Sequence, residues 1–262
     1  MSTPNPYAAP KAPLADEKTV LPANLIPGGR ARPAGNGWTW IADGWRFFIN
    51  APGTWIAITL VLGVIFLALA FIPLLGGLAL TLFTPVFVAG LMLGCRAIDE
   101  GGELEFRHLF AGFQNQLGNL VGVGAIYLGL SLVIMLVVMV ATGASMFAIF
   151  SRGGGAQDPM VMAGALTTLA LGMLIGLALF VPVIMLMWFA APLVVFNQLG
   201  PVDAMKQSFS GCLRNIVPFL IYGIVMFVFS ILASVPIGLG WLVLAPVTLA
   251  SVYTGYKDIY LG

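Results

Sequence analysis

The chain has 262 residues, of which 60% are hydrophobic and only 8% are Asp, Glu, Lys or Arg. Water-soluble domains carry about 25% charged residues, so that class is excluded, and a formal net charge of +1 gives no overall attraction to nucleic acid. From Trp55 to Tyr256 the charges are confined to 96–107, to Arg152 and Asp158, and to 203–214.

Residues 1–37 read as a disordered Pro/Ala-rich cytoplasmic tail. Pro4, Pro6, Pro10, Pro13, Pro22, Pro27 and Pro33 stand among small and polar residues, with too little apolar surface to offset the entropy of ordering. No unbroken apolar stretch follows the first basic residues, so no cleavable signal peptide is expected. Residues 38–262 then form the transmembrane domain. A span needs about 20 mostly apolar residues, and six runs qualify: 54–72, 78–96, 119–150, 160–198, 216–235 and 239–257. Pro73–Gly77, the Gly-rich Arg152–Pro159 and Pro236–Gly240 provide turns between successive pairs. The expected fold is all-α and integral to the membrane, a six-helix transmembrane bundle.

Two of the runs are long. At 1.5 Å per residue a helix over 160–198 would extend about 58 Å, against roughly 30 Å of hydrocarbon. Kinks at Pro182 and Pro192, or a hairpin that protrudes with the preceding run, are the expected solutions. A re-entrant segment is the alternative, and its backbone would have to be satisfied by protein. Lysines and arginines give the direction. Lys11, Lys18, Arg30, Arg32, Arg46, Arg96, Arg107, Lys206, Arg214 and Lys257 fall on one set of connections and Arg152 alone on the other. That asymmetry places both termini in the cytoplasm. Trp38, Trp40, Trp45 and Trp55 at the entrance, with Tyr253, Tyr256 and Tyr260 at the exit, suit an aromatic belt.

A short amphipathic segment precedes each odd-numbered span. The first places Trp38, Ile41, Trp45, Phe48 and Ile49 on one helical face. The second has Phe106, Leu109, Phe110 and Phe113, and the third Val202, Met205, Phe209 and Leu213. Too short and charged to span, these segments are expected to lie in the headgroup plane as interfacial helices. Six positions after an aromatic in each copy stands Thr54, Asn119 or Asn215, read as the cap of the next helix. Phe48 to Pro85 and Phe209 to Pro246 are both 37 residues apart. The pattern suggests three hairpin repeats with an enlarged middle copy. The pairs Gly90/Gly94, Gly118/Gly122 and Gly172/Gly176 are expected to pack helices closely, within the bundle or in self-association. Met185 and Met187 read as core filler, and Cys95 and Cys212 as reduced thiols packed at helix ends.

Chemistry has no visible address. The polar run Asp99–His108 matches no zinc or calcium spacing and reads as a solvated turn; His108 is the only histidine. Phosphate-loop, nucleophile-elbow and paired-cysteine motifs are missing. No catalytic, cofactor or metal residue is assigned, and the chain is not read as an enzyme. No span interior holds an ionisable side chain, which speaks against a coupled ion pump. Asn197 and Gln198, at the end of the fourth span, are the candidates for a polar path.

The run Gly37–Phe48 with Ala51-Pro52-Gly53-Thr54-Trp55 resembles the opening of an uncharacterised family of proteobacterial inner-membrane proteins. Thr84–Phe87, Gly94–Gly102 and Leu109–Phe113 extend the resemblance over roughly 37–260. More distantly, the six-span layout is similar to the membrane domain attached to some glycerophosphodiesterases, without their catalytic domain. The resemblance implies a bacterial inner membrane and no activity. The functional expectation is a non-enzymatic protein that organises lipids or partner proteins, a homo-oligomer included, through its cytoplasmic interfacial helices. Trp38, Trp45, Phe48, Phe110, Phe113, Met205 and Phe209 are its candidate contacts. The alternative is a permease or channel for an uncharged or lipidic solute.

Overall fold

A computed structural model describes residues 25–151 and 159–262, without the side chains of 148–150. Its helices are α1 (Asn36–Asn50), α2 (Pro52–Ala70), α3 (Leu75–Asp99), α4 (Leu117–Phe150), α5 (Pro159–Trp188), α6 (Ala190–Asn197), α7 (Pro201–Arg214), α8 (Ile216–Ser234) and α9 (Trp241–Tyr260). A 3-10 segment, Phe106–Phe113, lies between α3 and α4.

Among the described residues, five stretches are long and apolar enough to cross a membrane: α2, α3, α4, α5 with α6, and α8. The sixth expected span corresponds to α9, which is not among them. Tyr253, Tyr256, Lys257, Asp258 and Tyr260 lower the hydropathy of its C-terminal part. Over the most apolar part of α3 half the residues are buried, against 11–17% in the other four stretches. So α3 is central and the rest present apolar faces outward. The core gathers toward the charged end, where α3, α6, α9 and α1 meet around Trp55, Phe189, Leu193, Tyr256 and Tyr260, all 1% exposed or less.

The helix starts differ from the capping expectation. Pro52 opens α2, since a helix's first turn needs no N–H from it. Thr54 and Asn119 therefore fall inside the first turn and cap nothing. Asn215 does precede α8, but its amide serves another purpose. It accepts from Arg32 N at 2.8 Å and donates to Arg30 O and Gly211 O.

Those bonds belong to a strap, residues 25–35, that crosses the charged end. Of the tail expected over 1–37, residues 1–24 lie outside the described residues, and from Leu25 the chain is held against the bundle. Ile26 N donates to Tyr260 O and Arg30 N to Ile259 O, while Leu25 and Leu261 form an antiparallel bridge. Composition alone misses this because the partners lie about 180 to 236 positions away.

The helix expected over 160–198 is broken at Phe189 (φ −110°, ψ 7°). Pro192 has no N–H for the carbonyl four residues back, so the ladder stops there. The buried Ser208 hydroxyl accepts from Phe189 N at 2.9 Å and donates to Met185 O at 2.7 Å. The break is thus stitched from α7. By contrast α4 and α5 run on as a slender hairpin. The 34 residues of α4 extend about 51 Å, well beyond the hydrocarbon thickness.

Candidate functional site

Three short elements assemble the charged end. Positions four apart on α1 meet α9 in descending order. Asn36 donates to Asp258 at 2.7 Å, Trp40 O accepts from Thr254 at 3.0 Å, and Gly44 sits on Val247 and Ser251. The two helices therefore run antiparallel. A Cβ at Gly44 would stand 2.8 Å from the Val247 carbonyl oxygen, so only glycine permits this approach. The apolar stripe of α1 is divided by the contact. Phe48 and Ile41 are buried, while Trp38, Trp45 and Ile49 are 53%, 47% and 53% exposed.

The 3-10 segment is fastened to α3 by aromatics. Phe113 lies 5.3 Å from Phe87 edge-on and 5.8 Å from Phe83 stacked. Phe110, 40% exposed, completes the group at 6.3 Å from Phe87. His108 has a local purpose: its Nδ1 accepts from Glu105 N at 2.9 Å, closing the start of the segment. In α7, Met205 is buried and Phe209 half-buried, with Val202 and Leu213 turned outward. Each amphipathic segment thus has an inner face held by the bundle and an outer apolar face.

The glycine pairs mostly serve internal contacts. A side chain at Gly90 would strike the His108 carbonyl and lie 3.0 Å from Gly112 N; one at Gly94 would meet Leu104 at 2.5 Å. Gly172 faces Thr142 and Gly176 faces Val138 across the α4–α5 hairpin, and Gly122 faces Pro201. Gly118 has open space at its Cβ position. The polar-path candidates separate. Asn197 is 5% exposed, with its Oδ1 taken by the Tyr256 hydroxyl at 2.6 Å. Gln198 is exposed, left-handed (φ 58°) and bonded to Gln116.

Two recesses flank α1 and share Arg46. An apolar groove of about 750 Å³ runs between α1, α8 and α9, walled by Trp38, Trp45, Ile49, Phe229, Val243 and Leu244. A polar cleft of about 450 Å³ holds Arg30, Arg32, Asp43, Asp99, Lys257 and Asp258. Arg46 lines both. A second apolar groove, about 460 Å³ between α5, α7 and α8, has no charged residue in its wall. The first recess has a single basic residue, Arg46, in its otherwise apolar wall. Sequence reading finds Trp38 and Trp45 from their period but misses the cleft, since its members come from the strap, α1, α3 and α9.

Both cysteines are free and buried. Burial pushes the Cys212 thiol above its ordinary range, partly offset by a bond with Ser208. Among the described residues no group of three or more His, Cys, Asp or Glu side chains is placed to hold a metal ion.

An all-helical chain with five apolar helices of spanning length is an integral membrane protein. No family model matches it, and no solved structure matches it. It is similar to a probable inner membrane protein of Burkholderia thailandensis, 25% identical over 202 residues, which is 76% of this chain and 74% of that protein.

Proposed function

We propose that this chain is a non-enzymatic protein of the bacterial inner membrane that organises lipid through the helices at its charged end. The observation that carries the reading is the apolar groove between α1, α8 and α9, joined through Arg46 to a polar cleft. An acyl chain needs a trough with no unpaired polar group, and a headgroup needs charge at its mouth. The likeness to an inner membrane protein supports the location. The concentration of lysine and arginine at one end supports cytoplasmic termini.

The full architecture in this proposal is six spans, with α9 as the sixth, in three hairpins. Support comes from the first and third hairpin turns. In each, a proline is followed by a left-handed residue, Leu74 after Pro73 and Ile237 after Pro236. In each, a glycine lies against the residue seven positions back, Gly76 on Leu69 and Gly240 on Ala233. The permease alternative is less well supported. Asn197 is engaged by Tyr256, and the break at Phe189 is closed by Ser208. Protein partners, including a second copy, would dock on the same outer faces of α1, the 3-10 segment and α7.

The test is phospholipid retained per chain after detergent exchange. Trp45→Ser is expected to lower it severalfold, because the change puts a hydroxyl into the groove wall. Phe110→Ser and Phe209→Ser, outside the groove, should lower it less. Retention unchanged in all three would count against the reading.

A further inference from the structure

We infer that the polar cleft takes the phosphate of an anionic glycerophospholipid whose acyl chain lies in the apolar groove that shares Arg46 with it. This rests on the lipid-organising reading and narrows it to one headgroup chemistry. The argument is a charge balance. The cleft holds four cations, Arg30, Arg32, Arg46 and Lys257, against three carboxylates, Asp43, Asp99 and Asp258.

Two of those carboxylates are already committed. Asp258 pairs with Arg32 and accepts from Asn36 Nδ2 at 2.7 Å and Trp40 Nε1 at 2.9 Å. Asp99 pairs with Lys257 and accepts the Tyr253 hydroxyl at 3.2 Å. Arg30 has no carboxylate partner among the described residues; its Nε donates to the Asp258 carbonyl at 2.9 Å. Arg46 has only Asp43, one turn away on the same helix at 3.1 Å, and its side chain is 77% exposed. An exposed pair of that kind contributes little, so a phosphodiester can displace it at small cost.

The surplus is one positive charge, matching the single negative charge of a phosphodiester. The guanidinium groups of Arg30 and Arg46 also offer the forked donors that suit phosphate oxygens. Arg46 lines both the cleft and the groove, on the edge of α1 between them, so a phosphate held by its guanidinium can send an acyl chain into the groove. A zwitterionic headgroup would add an ammonium group to a cleft whose cations already outnumber its carboxylates by one, with Asp43, itself paired with Arg46, as the sole carboxylate not tied into a larger cluster. Discrimination between the two headgroups follows from that penalty as much as from the phosphate contacts.

The experiment uses the full chain in maltoside micelles with equimolar phosphatidylglycerol and phosphatidylethanolamine, read by native mass spectrometry. The wild-type chain is expected to retain phosphatidylglycerol preferentially. Arg30→Gln with Arg46→Gln should lower that retention by about 25-fold, taking roughly one tenfold step per 1.4 kcal/mol and about 1 kcal/mol per basic residue. The same two positions changed to lysine keep the charge and should keep most of the preference. A lysine pair that loses as much as the glutamine pair would overturn the charge argument. Equal retention of both lipids, still lowered by Trp45→Ser, would overturn the headgroup inference and leave the broader reading standing. Retention of neither lipid would overturn both.

Discussion

Ser208 is a small side chain placed where a helix has failed. Pro192 stops the backbone ladder, and the hydroxyl from α7 bonds both sides of the gap at Phe189 and Met185. Cys212 Sγ adds a weak contact to the same Met185 carbonyl at 3.7 Å, so the carbonyl keeps a partner if the serine is lost. The Phe189 N–H has no such reserve, in a residue wholly buried. Ser208→Ala should therefore destabilise the protein by about 1–3 kcal/mol, the usual cost of a buried group left unpaired. Thermal unfolding in detergent measures it, and an unchanged midpoint would mean the break does not depend on this bond. The same local logic explains His108. A lone histidine in an acidic turn invites a functional reading, yet here it closes the first turn of a 3-10 segment.

At the scale of elements, the strap and α9 act together. Asp258 gathers Arg32, Asn36 and Trp40, joining residues 25–35 and α1 to the end of the chain. Asp258→Asn removes the charge and one acceptor oxygen from that cluster. We expect a loss of about 1–3 kcal/mol and faster tryptic cleavage after Arg30, seen by limited proteolysis. Cleavage at the wild-type rate would show that the strap is held without the Asp258 cluster, by its bonds to Tyr260, Ile259, Asn215, Gln207 and Arg214. The strap also marks where sequence reading stops. Long apolar runs bounded by charge locate α2, α3, α4 and α8 to within about three residues, because in a membrane the local chain decides whether a helix forms. Seven prolines make the N-terminal 37 residues read as a tail, and nothing nearby in the sequence announces Asn215, Gln207 and Arg214 as partners of Gly28 through Arg32. The apolar stripe of α1 was legible, but its division was not. Trp45 and Phe48 share a helical face by period, and only the contact with α9 buries one and leaves the other exposed. The site was half legible for the same reason: its groove wall is periodic, whereas its cleft is assembled from four separate elements.

The whole molecule is uneven along its length. One end is dense, aromatic and charged. The α4–α5 hairpin at the other is a pair of helices held by Gly172 against Thr142 and Gly176 against Val138, with apolar side chains exposed all round. Lipid contact is available everywhere on such a surface. The groove is different because its wall comes from three helices and carries one basic residue, Arg46, so lipid there should be bound and not merely adjacent. Trp45 is the natural reporter, being an exposed part of that wall. The most direct measurement isolates its fluorescence as the difference between the wild-type chain and Trp45→Phe, in maltoside micelles titrated with phospholipid brominated along the acyl chain. The account predicts quenching that saturates at stoichiometric lipid, with little quenching by aqueous acrylamide once the lipid is in place. Quenching that never saturates, or a Trp45 signal open to acrylamide at every lipid level, would contradict it.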